Sequence, residues 1–143
     1  MVDFHLEVNI VPVTDPERSK QFYQDLGWRL DDDVAPAAGV RLIQFTPPGS
    51  AGSITFGSGI TTTAPGSVQG GLVVADIEAA RGELISRGIK ASEFFHGAPF
   101  PKEGRLDGLD PQRQSYGSFV SFSDPDDNEW LVQEITSRAP GRD

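Results

Sequence analysis

Val11 to Trp28 reads VPVTDPERSKQFYQDLGW, and its punctuation returns at Leu72 to Ile89, LVVADIEAARGELISRGI. The copies align without a gap at an offset of 61 residues, pairing Val13 with Val74, Asp15 with Asp76, Glu17 with Glu78 and Gly27 with Gly88. Four identities in eighteen positions are few, but each matched residue does the same physical job in both copies. Val11 and Val13 end a strand. Asp15 is placed to accept from the free backbone N–H groups of a first helical turn. Pro16 follows at the first helical position, where a missing N–H costs nothing. Ser19, Phe22, Tyr23 and Leu26 fall at i, i+3, i+4 and i+7, one face of a helix. Gly27 suits the left-handed position that ends it. In the second copy Asp76 is the cap, Ile77, Ala80 and Leu84 are the stripe, and Gly88 is the stop. Helices are expected over 15–26 and 76–87.

The repeat continues downstream. Phe45-Thr-Pro-Pro-Gly-Ser precedes a strand at Ser53–Phe56, and Phe122-Ser-Asp-Pro-Asp-Asp precedes one at Glu129–Ile135. Both are a strand, a Pro-containing turn and a return strand. The offset has grown to 77, so the second copy carries an insertion of about 16 residues. The fold class is therefore α+β, a βαβββ unit used twice. Residues 1–58 form the first module, 59–69 a linker rich in Gly, Ser, Thr and Pro, and 70–136 the second module with an inserted loop at 93–116. Residues 137–143 are expected to be a frayed tail.

Composition narrows the function. The 143 residues hold 12 Lys plus Arg against 21 Asp plus Glu, a net charge of −9. That charge opposes nucleic acid and anionic membranes, which need clustered positive charge. No cysteine is present, which removes disulfides, thiolate metal sites and Cys nucleophiles and is compatible with the cytoplasm. No basic n-region and no apolar run near 18 residues occurs, so neither a signal peptide nor a membrane span is expected.

In chain order, Phe4 to Val13 reads as the first strand, with Leu6, Val8 and Ile10 alternating onto one face. Asp31-Asp32-Asp33 reads as a solvated acidic turn without the spacing of a calcium loop. Val40–Phe45 and Ser53–Phe56 are antiparallel partners. The loop from Glu93 to Tyr116 has the length of a lid or binding loop, and Phe94, Phe95 and Phe100 argue that it is partly ordered.

VPVTDPERSKQFYQDLGW, LVVADIEAARGELISRG and SFSDPDDNEWLVQEI, in this order and duplication, resemble the vicinal oxygen chelate superfamily. That superfamily includes glyoxalase I, extradiol dioxygenases, fosfomycin-modifying enzymes and bleomycin-resistance proteins. The last stretch resembles its F-x-DPDGN turn, with Asp127 where Gly is usual. The resemblance covers nearly the whole chain. It implies two curved mixed sheets around a ligand cavity, with the helices outside.

The resemblance also implies four metal-ligand places, on the first and last strand of each module. The first-strand places lie seven residues before the capping Asp, at Val8 and Gln69. The last-strand place lies seven residues after Asp124, at Leu131, and the repeat offset transfers it to Ile54. Val, Ile and Leu offer a divalent ion no donor, and one amide oxygen does not hold it against water. No metal or other cofactor is expected. Instead Val8, Ile10, Ile54, Phe56 and Leu131 would make an apolar floor, with Gln44, Gln69 and Gln133 as directional amides. Phe94 and His96 would touch a ligand from the loop, and His96 is the one candidate for proton transfer. Arg105 and Arg113 are able to clamp an anion, although their plain reading is solvated loop arginines.

Two functions stay open. One is a metal-free protein that binds a flat, mostly apolar or aromatic small molecule. The other is a glyoxalase-like or dioxygenase-like enzyme, metal-free or with a non-standard metal site. A homodimer is expected in either case, because open sheet edges and apolar rims invite a second chain.

Overall fold

The computed structural model describes residues 1–142. The chain forms two compact units: residues 1–68 with 124–128, and 69–123 with the chain from Glu129 onward. Among the described residues no helix is long and apolar enough to cross a membrane.

The first unit runs β1 (Val8–Ile10), α1 (Pro16–Asp25), β2 (Arg29–Ala37), β3 (Val40–Thr46) and β4 (Ser53–Ser58). Its sheet has the order β1-β4-β3-β2, parallel between β1 and β4 and antiparallel elsewhere. The Asp15 carboxylate accepts from the backbone N–H groups of Glu17 and Arg18, and Gly27 takes φ +87° after the helix. Register puts Ile43, Phe45, Ile54 and Phe56 on one face. Tyr23 of α1 packs there, with ring centroids 6.0 Å from Phe45 and 5.4 Å from Phe56. Trp28 completes the core at 5.3 Å from Tyr23.

Two features of this unit differ from the sequence reading. The first strand is only Val8–Ile10, and Phe4 and Leu6 are 93% and 89% exposed. Alternation alone did not reveal that β4 offers pairing partners only from Ser53 onward, where the Ser53 N–H donates to Glu7 O. Asp31–Asp33 is not a turn but the middle of β2. Asp33 can stand in a strand because Arg41 (2.9 Å) and Lys20 (2.7 Å) neutralise it, with its pKa held well below the usual carboxylate range. Arg41 also pairs with Glu17 of α1. An acidic edge strand moreover resists pairing with other chains.

Residues 124–128 close the first unit with a buried polar cluster. Asp124 Oδ1 accepts from the backbone N–H of Asp126 and Asn128, and Oδ2 from the Tyr23 hydroxyl and Asn128 Nδ2. Asn128 Nδ2 also donates to Pro12 O, while its Oδ1 accepts from the N–H groups of Gly66 and Val68. The buried side-chain polar atoms of Asp124 and Asn128 are therefore all matched, as burial requires.

The second unit runs β5 (Gln69–Val74), α2 (Ile77–Ser86), β6 (Phe95–Gly97), a 3-10 turn (Lys102–Gly104), β7 (Arg105–Asp107), β8 (Phe119–Ser123) and β9 (Glu129–Glu134). The sheet order is β5-β9-β8-β6-β7, with β5 parallel to β9. Asp76 caps α2 through the Ala79 N–H, and the Glu134 carboxylate accepts from the Ile77 N–H at 2.9 Å. That bond fixes the face of Trp130, Val132 and Glu134 as the helix side. Gly70, the cross-strand partner of Trp130, is required there, since a Cβ would sit 2.2 Å from the indole ring.

The inserted loop is mostly structured. Its first half is the β6–β7 hairpin. Its second half is pinned near α2, where Arg113 pairs with Glu134 (2.7 Å) and Glu78 (2.9 Å). The C-terminal segment is tied as well: Ser115 Oγ donates to Ser137 O and accepts from the Thr136 and Ser137 N–H groups, and the Ala139 N–H donates to the Tyr116 hydroxyl. The expected fraying of 137–143 does not describe Ser137 to Ala139, and Asp143 lies outside the described residues.

Candidate functional site

Each sheet has a helix-covered face and a helix-free face, and parity sorts the candidate residues between them. In the first unit Val8 and Ile10 lie in register with Ser53 and Thr55, and Gln44 with Thr55, so all share the helix-free face. Val8 and Ile10 are 44% and 48% exposed, whereas Thr55 and Gln44 are half-buried. Asp31 on the neighbouring strand is bound by Arg29 and the Thr46 hydroxyl, which lower its pKa, Arg29 foremost. Ile54 and Phe56 do not join Val8 and Ile10. They alternate to the other face and pack in the α1 core, Phe56 under Tyr23.

The register also corrects the transfer between modules. Val8 opposes Ser53 and Ile10 opposes Thr55, as Gln69 opposes Glu129 and Gly71 opposes Leu131. The counterpart of Leu131 is thus Thr55, not Ile54. The turn between β3 and β4 is one residue longer relative to the repeat than the offset implies, and a one-residue slip reverses every side chain of a strand.

The places that the resemblance assigns to a metal therefore carry Val8, Thr55, Gln69 and Leu131. Two hydrocarbons, one hydroxyl and one amide do not make a donor set for a divalent first-row ion. Among the described residues no group of three His, Cys, Asp or Glu is placed to hold one.

In the second unit Gln69, Gly71 and Val73 of β5, Glu129, Leu131 and Gln133 of β9, and Phe119 and Ser121 of β8 share the helix-free face. Phe95 of β6 pairs with Phe119, and their rings stack at 5.5 Å. With Leu131 they form one buried cluster, at 6%, 2% and 9% exposure. A stacked pair of this kind contributes roughly 0.5–1.5 kcal/mol beyond its buried area. Around it Gln69 and Val73 are exposed, and the half-buried Gln133 donates to Tyr116 O at 3.0 Å.

The hairpin completes this face. Strand register places Arg105 level with Gly97, beyond the Phe119–Gln133 pair, while Glu129 lies at the opposite end of β9. Their side chains nevertheless meet, Arg105 Nη2 to Glu129 Oε1 at 3.4 Å, and Lys102 Nζ reaches Glu129 Oε2 at 3.1 Å. The hairpin must therefore curl across the helix-free face. On the way the Arg105 guanidinium carbon sits 4.3 Å from the centroid of the Phe95 ring, a cation–π contact, and its Nε donates to Pro99 O. Arg105 was weighed as an anion clamp against a solvated loop arginine, whereas Glu129 was not among the expected ligand contacts, although its alternation with Leu131 was an available signal.

Two loop residues sit elsewhere. Phe94 lies under Arg81 of α2, 5.5 Å from guanidinium carbon to ring centroid. His96 alternates away from Phe95, pairs in register with Leu106, and its Nδ1 lies 2.9 Å from Gly108 O. The fold does not bring His96 to the aromatic cluster.

A cleft of about 410 Å³ also lies in the first unit, between Val11–Thr14 and the Gly57–Pro65 segment. It carries hydroxyls from Ser58 and Thr61–Thr63 and holds none of the candidate residues.

The bleomycin resistance protein-like N-terminal family matches residues 6–36. No curated protein matches the sequence. Solved structures match over nearly the whole chain. TnmS3, an antibiotic binding protein from Streptomyces sp. CB03234, is 28% identical, with a TM-score of 0.69 over 94% of this chain and 98% of that one. A glyoxalase/bleomycin resistance protein from the same organism is 28% identical, with a TM-score of 0.65 over 91% and 100% of the two chains. A member of the glyoxalase/bleomycin resistance protein/dioxygenase superfamily from Sphaerobacter thermophilus DSM 20745 shares the fold at 22% identity, with a TM-score of 0.68 over 92% and 98% of the chains.

Proposed function

We propose that this vicinal oxygen chelate protein binds a flat, mostly apolar or aromatic small molecule without a metal. The observation that carries the reading is the Phe95–Phe119–Leu131 cluster on a sheet face with no helix over it. Gln69, Gln133 and exposed Val73 frame the cluster. Apolar walls with a few directional polar groups suit an organic ligand. The likeness to TnmS3, described as antibiotic binding, supports the same reading.

The homodimer belongs to this proposal too. Val8 and Ile10 on edge strand β1, with Phe4 and Leu6 before it, expose apolar side chains that a second copy would cover.

The test is a thermal-shift series. Flat aromatic compounds should raise the unfolding midpoint, because binding to the native state stabilises it. Zinc, nickel, iron and manganese should leave it unchanged. A shift with a metal and none with any aromatic compound would favour the enzyme reading instead.

A further inference from the structure

Glu129 is shared by two cations. Lys102 and Arg105 both reach its carboxylate, on the helix-free face of the second unit and in a chain of net charge −9. Arg105 and Glu129 are only 14% and 13% exposed at the side chain. Nε of Arg105 is used by Pro99 O and Nη2 by Glu129, and among the described residues no acceptor is placed for Nη1. Both ends of this arrangement bear on the aromatic cluster: Arg105 lies over Phe95, and Glu129 is two residues along β9 from Leu131. The β6–β7 hairpin is thus held across an apolar floor by one carboxylate that two cations compete for.

We propose that Glu129 occupies the place of an acidic group on the ligand, and that the ligand is a flat aromatic bearing a carboxylate or phenolate. This rests on the small-molecule reading above and names the class of molecule. The ring would lie along the face over Gly71, beside exposed Gln69 and Val73 and next to Glu129. The oxyanion would take Lys102 and Nη1 and Nη2 of Arg105 in place of Glu129. A carboxylate on a guanidinium forms two parallel charge-assisted bonds, which the single contact with Glu129 does not, and a phenolate oxygen would accept from Nη1 and Nη2 together. Lys102 and Arg105 would exchange one anionic partner for another, while Glu129 loses its partners and its carboxylate must turn out to solvent, a cost that the ligand bears and that Glu129→Gln removes.

The experiment titrates 2-naphthoate and its neutral counterpart 2-naphthylmethanol into the full chain, with the backbone amide shifts of Phe95–Asp107 as the readout into the millimolar range. Wild type should prefer naphthoate. Glu129→Gln, which removes the internal competitor and keeps the side-chain volume, should tighten naphthoate by about tenfold or more and leave naphthylmethanol within about twofold. Arg105→Gln should abolish the preference while retaining weak binding of both. The thermal midpoint of each variant checks that it is folded. If Glu129→Gln tightens both probes equally, the pair is only a hairpin tie and the inference falls while the small-molecule reading stands. Equal binding of acid and alcohol by wild type overturns it too. If neither probe moves the amides of any folded variant, this face is no ligand seat, and the reading and the inference fall together.

Discussion

The hydroxyl of Tyr23 donates to Oδ2 of Asp124 at 3.0 Å, joining the middle of α1 to a turn 101 residues later. Both residues are buried, at 0% and 4% exposure. The bond belongs to the cluster through which Asp124 and Asn128 organise residues 124–128. Tyr23→Phe keeps the ring against Phe45, Phe56 and Trp28 and removes only this bond. A bond to a carboxylate contributes more than one between neutral groups, so the variant should lose about 2 kcal/mol. Urea unfolding should show a lower midpoint with the same slope. A loss under about 0.5 kcal/mol would mean that Asn128 and the Asp126 N–H satisfy the carboxylate without the hydroxyl.

Asp127 has φ +67°, the left-handed region, where a Cβ is strained and glycine is free. Its side chain is exposed, and it stands near the acidic Asp124 and Asp126. Asp127→Gly should therefore raise stability by about 0.5–1 kcal/mol, the relief of strain outweighing the greater freedom of the unfolded chain. Chemical denaturation decides it; a destabilised variant would show that this carboxylate is needed by the turn.

Glu134 is 2% exposed at its side chain, and its pKa is lowered from an ordinary value near 4.5, first by Arg113 and then by the Ile77 N–H. A depressed carboxyl stabilises the native state above its unfolded pKa, and that contribution is lost as pH falls toward the folded value. The Arg113–Glu134 pair should thus contribute fully at pH 7 and fade progressively below about pH 4.5. Glu134→Gln should cost about 2–3 kcal/mol at pH 7, less than a fully buried pair because Arg113 is partly solvated. The gap to wild type should narrow in stability curves at lower pH. A gap independent of pH from 7 to about 3 would contradict the assignment.

Ile54 and Thr55 are neighbours on opposite faces of β4. Ile54→Glu forces a carboxylate into the α1 core and should cost about 4 kcal/mol or more, enough to unfold a marginal domain. Thr55→Glu places the same group on the half-buried helix-free face and should cost about 1 kcal/mol. Comparable losses, read by circular dichroism melting, would mean that the strand register is wrong.

The local vocabulary of the fold was legible in the sequence. The Asp15 and Asp76 caps, the two stripes and the two glycine stops each depend on a few neighbouring residues, and the helices formed one residue inside the expected limits. That Val8 and Ile10 share one face of the first strand was likewise readable, because alternation survives without knowledge of the partner strand. The transfer from Leu131 to Ile54 failed for lack of that partner. Counting along a repeat cannot detect a turn that is one residue longer, whereas the pairing of Ile10 with Thr55 reads it at once.

What the sequence determined by itself was the duplication, the net acidity and whatever is decided within a turn or two of helix, the caps and stops above all. Asp31–Asp33 marks the limit of that kind of reading, since three acids look like solvent-exposed turn until Arg41 and Lys20 arrive from β3 and α1. The seat of Phe95, Phe119 and Leu131, with Arg105 and Glu129 meeting above it, was decided only in three dimensions. Its members come from four strands, and the hairpin's curl, which no local propensity encodes, brings a loop arginine to the far end of the last strand.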